Sequence, residues 1–240
     1  KKSEDLRIGD YLCCPIKRPV VDHKEFWGKT LNEPLLKIIG RYLACGRVIE
    51  RKNGQIVGFI NMEYKSAYEL RVDLQKTFGC KVAINKSGDN ARKNVYVLDK
   101  NIVDKFINDI GISTDRFKYP KELVNLPNEK TSVLLESFVK TVDKEEDTGG
   151  VKIIIENTEL GVLLADLFLR NNILTRTYRR VGHTMEFDTP AGKKETYVPP
   201  RVILRFVGPS DLIHIAGDFL YTKITGLDRR NETHTVFNLE

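Results

Sequence analysis

The sequence predicts an α+β protein made of two similar αββαββα-like lobes, with a short β-rich segment at each end. Three observations carry that prediction. Apolar stretches of helical period alternate with hairpin-like strand pairs through the middle of the chain. That order of elements occurs twice. The residues outside it are short alternating stretches broken by glycine and proline. The expected boundaries are 1–27 for the first β-rich segment, 28–127 and 128–217 for the lobes, and 218–240 for the last segment. With 240 residues, 41% of them apolar and 30% charged, the chain is long enough to bury a sizeable core.

Taken in order, Leu6 to Leu12 with Pro15-Ile16 is β-structure with turns. Pro34 to Gly46 is an apolar helix, with proline at its start and glycine after its end. Strands flank the Asn53-Gly54 turn, the returning one being Gln55 to Ile60. Glu63 to Phe78 is a second helix, with Tyr64, Ala67, Tyr68, Leu70, Leu74 and Phe78 along its apolar stripe. A hairpin pairs Lys81–Ile84 with Val95–Leu98 around Lys86 to Asn90, and a third helix covers Asn101 to Ile110. The series then recurs: a helix over Thr131–Val142, a strand over Val151–Glu156, and a helix over Glu159–Arg170. Strands Arg176–Arg180 and Arg201–Val207 follow, joined by a loop rich in glycine, proline and lysine. Ser210 to Ala216 is expected as a short helix capped by Ser210, and Val236 to Leu239 as a final strand. The joins before the second and fifth of these helices, Ile60 to Glu63 and Glu156 to Glu159, lie about 96 residues apart, far beyond the ~20–50 of a solenoid repeat. A duplicated lobe fits that spacing.

Composition excludes several classes. No run of about 18 apolar residues could cross a membrane as a helix. Lys1 to Asp5 lacks the apolar stretch of a secretory signal. Cys13, Cys14, Cys45 and Cys80 form no CxxC pair, which argues against a zinc site or disulfide framework and for a reducing intracellular setting, cytoplasm or nucleoid. His23, His183, His214 and His234 have no ligand spacing. The +6 net charge by itself favours nucleic acid only slightly over an ordinary basic surface.

The segment Ile38-Ile39-Gly40-Arg41-Tyr42-Leu43-Ala44-Cys45-Gly46 resembles the nine-residue signature of LAGLIDADG homing endonucleases, with Leu135 to Asp143 as its second copy. Phe117 to Lys121 is similar to the lysine- and proline-bearing junction of intein members. Asp5 to Leu12 with Pro15-Ile16, and Val236 to Glu240, resemble strands of a protein-splicing (Hint) domain flanking an endonuclease insertion. The resemblance implies two signature helices packed side by side, where Gly40 suits close approach and Ser137 suits it less. It also implies one carboxylate at each helix end, holding the magnesium that activates water. Cys45 and Val142 occupy those positions, and neither suits magnesium. Asp143 stands one place later, turned by roughly 100° on a helix. Residual acid at Asp143 and an active-site role for Lys118 stay open, beside the ordinary readings of a solvated acidic loop over Asp143–Asp147 and a surface lysine. Cys45 reads as an inert buried thiol. No intact catalytic set or metal site is expected, and magnesium is a cofactor only if the sites work.

The implied saddle of two antiparallel sheets would lie along the major groove of double-stranded DNA. Candidate contacts in the first lobe are Arg47, Arg51, Lys52, Lys81, Lys86, Arg92 and Lys93. In the second lobe they are Lys152, Arg176, Tyr178, Arg179, Arg180, Lys193, Lys194, Arg201 and Arg205. Strand alternation puts Arg176 and Tyr178 on one face and Arg179 on the other, so not all can touch DNA. The expectation is a monomeric, DNA-binding endonuclease domain of the intein type, with cleavage lost and the splicing domain as intramolecular partner. A structural insert supporting that splicing domain, or a maturase-like nucleic-acid-binding module, are the alternatives. Self-splicing is not expected, because the family's terminal splicing residues are not within the sequence.

Overall fold

The computed structural model describes residues 6–16, 19–52, 54–86, 92–111, 117–148, 150–189 and 192–226. The Asn53 turn position, the 87–90 hairpin tip, the 236–240 segment and His234 lie outside them. In chain order come β1 (Tyr11–Pro15), β2 (Glu25–Phe26), β3 (Lys29–Thr30), α1 (Glu33–Cys45), β4 (Gly46–Arg51) and β5 (Gly54–Glu63). Next are α2 (Tyr64–Phe78), β6 (Val82–Lys86), β7 (Arg92–Val97), α3 (Lys100–Ile110), α4 (Lys121–Val124) and α5 (Asn128–Thr141). Last are β8 (Lys144–Asp147), β9 (Gly150–Ile155), α6 (Thr158–Arg170), β10 (Thr175–Arg180), β11 (His183–Thr189), β12 (Gly192–Val198), β13 (Arg201–Phe206), β14 (Ile213–Ala216) and β15 (Phe219–Lys223). The α+β class is as the sequence predicts.

The chain divides into two compact units, Arg18–Val207 and a smaller one made of Lys1–Lys17 with Gly208–Glu240. Residues 18–27, expected with the first β-rich segment, fall in the larger unit, and residues 208–217, expected with the second lobe, fall in the smaller.

Within the larger unit two lobes share one topology. The first sheet runs β4-β5-β7-β6 and the second, read from its other edge, β8-β9-β13-β10. In each, the strands stand in the order first, second, fourth, third. α1 and α2 precede and interrupt the first sheet as α5 and α6 do the second. Helices cover one face of each sheet, where Val57, Phe59, Val95 and Val97 in the first and Ile153, Val202 and Leu204 in the second are wholly buried. One continuous apolar cluster joins both lobes.

The join is the α1–α5 contact. Alpha-carbon hydrogens alone fit between the helices at Gly40, since a Cβ there would run into the Leu134 carbonyl oxygen. The reciprocal contact is made by Ser137, whose Oγ donates to the Lys37 carbonyl at 2.8 Å. Ser137 therefore suits the crossing better than its size suggests, because its hydroxyl finds an acceptor where a methyl group would find none. Arg41, buried in α1, pairs with Asp73 at 2.6 Å and Glu69 at 3.0 Å, tying α1 to α2. The turn joining β2 to β3 has left-handed Trp27 and Gly28, with φ of 59° and 68°. Trp27 is held there by Nε1 donating to Asp109 at 2.7 Å and by its ring against Phe26 and Phe106.

Several expectations are corrected. Ser210–Ala216 is not a helix: β14 turns through left-handed Gly217 (φ 58°) and pairs with β15, His214 stacking on Tyr221. The Ser210 hydroxyl does accept the Leu212 N–H, but as a turn rather than a helix start. The linker between β10 and β13 is a hairpin, β11 with β12, rather than a loop. The acidic run after α5 is strand β8, Lys144–Asp147, not a loop, because it pairs antiparallel with β9. Tyr64 and Tyr68 face solvent on α2, their rings tilted against each other with centroids 4.7 Å apart. Gly46 does not end α1 through a left-handed turn; its φ is −72°, and it is required because a side chain would enter the Tyr42 ring. The smaller unit contains the three-stranded sheet β1-β15-β14.

Candidate nucleic-acid interface

Each lobe leaves one sheet face free of helices. Strand alternation sorts the candidate contacts between the two faces. In the second sheet, Val202 and Leu204 point to the helices, so Arg201, Ile203 and Arg205 point away. Their cross-strand partners share that face. Arg176 stands opposite Arg205, Tyr178 opposite Ile203, and Arg180 opposite Arg201. On the other side of β13, Lys152 stands opposite Arg205 and Ile154 opposite Ile203. Glu145 of β8 stands opposite Lys152, and the two form an ion pair at 3.0 Å. Arg176, Tyr178 and Arg180 are exposed, while Arg201 and Arg205 are half-buried. Arg179 belongs to the helix side, opposite Val202, and is corrected out of this face.

The open face of the first sheet is different in chemistry. Arg47 and Arg51 flank Ile49 on β4, and the Ile49, Ile60 and Tyr96 side chains close over Gly58. The Arg51 guanidinium lies 5.5 Å from the Tyr96 ring centroid. Lys52 is exposed in the turn after β4, and Lys81 is exposed just before β6. Lys86 and Lys93 stand opposite each other in step with Val95 and Val97, so they belong to the helix side and are corrected out of the open face, the Lys93 ammonium sitting over the Tyr64 ring on α2. Arg92 donates to Asp143 at 2.9 Å and to the Asn61 carbonyl at 2.9 Å. Lys193 and Lys194 lie out on the exposed β12, Lys193 paired with Glu186 at 3.3 Å. Cations are therefore shared between the lobes, but those in the second lobe are more closely grouped.

The ends of α1 and α5 meet over a cavity of about 470 Å³ lined by Cys45, Gly46, Arg47, Val142, Asp143, Glu145, Glu156 and Arg201 among others. Burial pushes the Cys45 thiol up to about 12, and its Sγ donates to the Arg41 carbonyl at 3.4 Å. A neutral soft thiol, a valine and an arginine-bound Asp143 do not fit a magnesium ion. Among the described residues, no group of three or more His, Cys, Asp or Glu side chains is placed to hold a metal. Lys118 lies elsewhere, its Nζ 3.5 Å from the Asn108 carbonyl in a separate cavity beside Trp27 and Asp109. It is not brought to the helix ends.

Glu145 was missed by sequence reasoning. The pairing of β8 with β9 places Glu145 directly across from Lys152.

Fold and surface define the class as a two-lobed α+β protein whose matched antiparallel sheets each present an open, arginine-bearing face. No protein-family model and no curated protein matches the chain. Among solved structures it is similar to I-DmoI in complex with DNA and Mn, at a TM-score of 0.47 and 9% identity over 74% of this chain and 91% of that one. It is also similar to mesophilic variants of the homing endonuclease I-DmoI, with a TM-score of 0.48, 9% identity and coverage of 74% and 89%. A third likeness is to I-DmoI in complex with DNA and Ca, with a TM-score of 0.46, 10% identity and coverage of 74% and 84%.

Proposed function

We propose that this chain is a LAGLIDADG-type domain of homing-endonuclease ancestry that binds double-stranded DNA as a monomer and has lost cleavage. The observation that carries the reading is the open face of the second sheet, where four arginines and Tyr178 lie on adjacent strands away from the helices. A strand ribbon fits the major groove, and arginine forks suit phosphates and guanine edges. DNA-contacting residues in this reading are Arg47 and Arg51 in the first lobe and Arg176, Tyr178, Arg180, Arg201 and Arg205 in the second.

Cleavage is lost because the helix ends carry no pair of carboxylates to hold a cation against the scissile phosphates. No step is derived through magnesium, since Cys45 and Val142 do not fit it. The finer reading, an insert within an intracellular protein-splicing domain, is supported by the chain's two end segments belonging to one compact unit that residues 18–207 interrupt in sequence. That arrangement also supports the alternative of an insert that only assists folding of the splicing unit.

Duplex affinity measured across a salt series separates these readings. The binding reading expects log K to fall by about 0.9 per phosphate contact against log salt. A flat response leaves the folding-insert reading in its place. Cleavage is tested with magnesium and duplex DNA from the insertion site. The unmodified chain should not nick it, whereas Cys45→Asp with Val142→Asp should regain metal binding and nicking together. Robust magnesium-dependent cleavage by the unmodified chain would mean that other acids are the ligands.

A further inference from the structure

The outer side of α2 carries a row of side chains that its packing does not use. Ala67, Leu70 and Leu74 are buried, while Tyr64, Tyr68 and Val72 face solvent. Those three recur at every fourth position and so form one line along the helix. Cations border it: Lys65 and Arg71 lie three residues from Tyr68, Lys76 lies four from Val72, and all three are exposed. The Lys93 ammonium sits over the Tyr64 ring. None of these four cations forms an ion pair among the described residues. The cause lies on the other edge of α2. Glu69, four residues after Lys65, and Asp73, three before Lys76, have the spacing to neutralise them. Both instead bind Arg41 of α1, at 3.0 and 2.6 Å. Arg41 is buried, so releasing either carboxylate would leave a buried charge short of its partners. The acids of α2 are held inward and its cations are left outward.

The fold does not call for this arrangement. α6 holds the matching place in the second lobe, and Val162 is its one exposed large apolar residue among those described. We propose that the outer face of α2 docks an acidic amphipathic helix of a partner protein. The row takes the apolar side of that helix, and Lys65, Arg71 and Lys76 take its carboxylates. A helix suits the row better than nucleic-acid bases do. The Tyr64 ring already has Tyr68 against it, centroids 4.7 Å apart, and the Lys93 ammonium over it. Val72 offers a base no ring to stack on. The row is a little over two turns long, about 12 Å, so the contact is small and exchange is fast. It is separate from the DNA-binding reading, because α2 packs on the helix-covered side of the first sheet.

The test uses the full chain and a fluorescein-labelled synthetic helix of about 18 residues, roughly five turns, with leucine at every third or fourth position and glutamate elsewhere. Anisotropy gives its affinity across a potassium chloride series. The wild type should bind it, more weakly as salt rises. It should ignore a scrambled peptide of the same composition and a version with lysine in place of glutamate. Tyr68→Ser with Val72→Ser should weaken binding about tenfold or more. Lys65→Gln with Arg71→Gln should weaken it about fivefold at low salt and flatten its salt dependence. All four side chains are exposed, so circular dichroism and Tm should match wild type in both variants. Duplex DNA affinity of the serine pair should also match.

A wild type that ignores the acidic peptide overturns the proposal. Equal binding of the scrambled peptide does the same, because it reduces the row to a merely charged surface. So does a serine pair that binds like wild type. A labelled single strand of thymidines is the second probe. If the wild type prefers it to the peptide, and the serine pair loses it, the outer face of α2 is a nucleic-acid surface and the helix is overturned. The duplex reading rests on other residues and stands or falls by its own salt series.

Discussion

At the level of single residues, the α1–α5 crossing depends on atoms that are missing as much as on those present. Gly40 admits the Leu134 carbonyl, and Ser137 returns the contact with a hydrogen bond to the Lys37 carbonyl. Gly40→Ala should destabilise the protein by about 1–3 kcal/mol in urea unfolding, because backbone rather than a flexible side chain must move. An unchanged urea midpoint would show that the helices can separate at little cost. Cys45 allows a prediction on pH. Its folded-state pKa is about 12 against 9.0 for an ordinary thiol, so the folded chain keeps a proton that the unfolded chain loses. Its contribution is complete below pH 9 and declines as pH rises from 9 toward 12. Cys45→Ser should therefore flatten the alkaline limb of stability against pH. In thiol labelling at mildly alkaline pH, the exposed Cys13 and Cys14 should react before the half-buried Cys45 and the buried Cys80. Labelling of Cys45 at the rate of Cys13 would contradict its raised thiol pKa.

Among the elements, α6 and the β11–β12 hairpin mark the two extremes of support. Asn157 caps α6, its side chain accepting the Leu160 N–H at 2.9 Å, and it is nearly buried. Asn157→Ala should cost about 1 kcal/mol of stability by chemical denaturation. The glycine at 161 lets α6 sit directly on Val202 of β13, so loosening this helix also loosens the sheet that bears the arginines. The β11–β12 hairpin, by contrast, is a two-stranded sheet that pairs with no other strand among the described residues. An isolated two-stranded ribbon is marginal in water. Its amides should exchange with deuterium orders of magnitude faster than those of β5 and β13, whose apolar residues are buried. Equal protection in the hairpin would reveal support from another surface.

Across the whole molecule, two lobes of identical strand order are joined by a single apolar cluster. Shared burial couples their stabilities, since neither α1 nor α5 can leave without exposing the other. Trp27 is the only tryptophan and packs against Phe26, Phe78 and Phe106 on the first-lobe side. Its fluorescence should therefore lose its native signal at the same denaturant midpoint as the bulk of the far-ultraviolet circular dichroism. Separate midpoints would mean that the lobes unfold independently.

Most of the fold was legible along the chain, and for identifiable reasons. Helical periodicity, Pro34 and the glycine-bearing turns marked α1, α2, α5 and α6 and the order in which they recur. The alternation of β10 placed Arg176 and Tyr178 together and turned Arg179 away before any partner strand was known. Local signals failed where pairing outweighed propensity. Ser210 suggested a helix cap, yet Gly217 and the stacking of His214 on Tyr221 made a hairpin. The acids after α5 suggested a solvated loop, yet β9 supplied the strand pairing and Lys152 a counter-charge for Glu145. The sequence by itself determined which side chains carry charge and that Cys45 and Val142 cannot serve as magnesium ligands. Only the tertiary structure decided which arginines face one another, which lysine is neutralised, and that Lys118 lies away from the helix ends. Those facts depend on cross-strand register and helix packing, which join residues distant along the chain and leave no periodic trace in it.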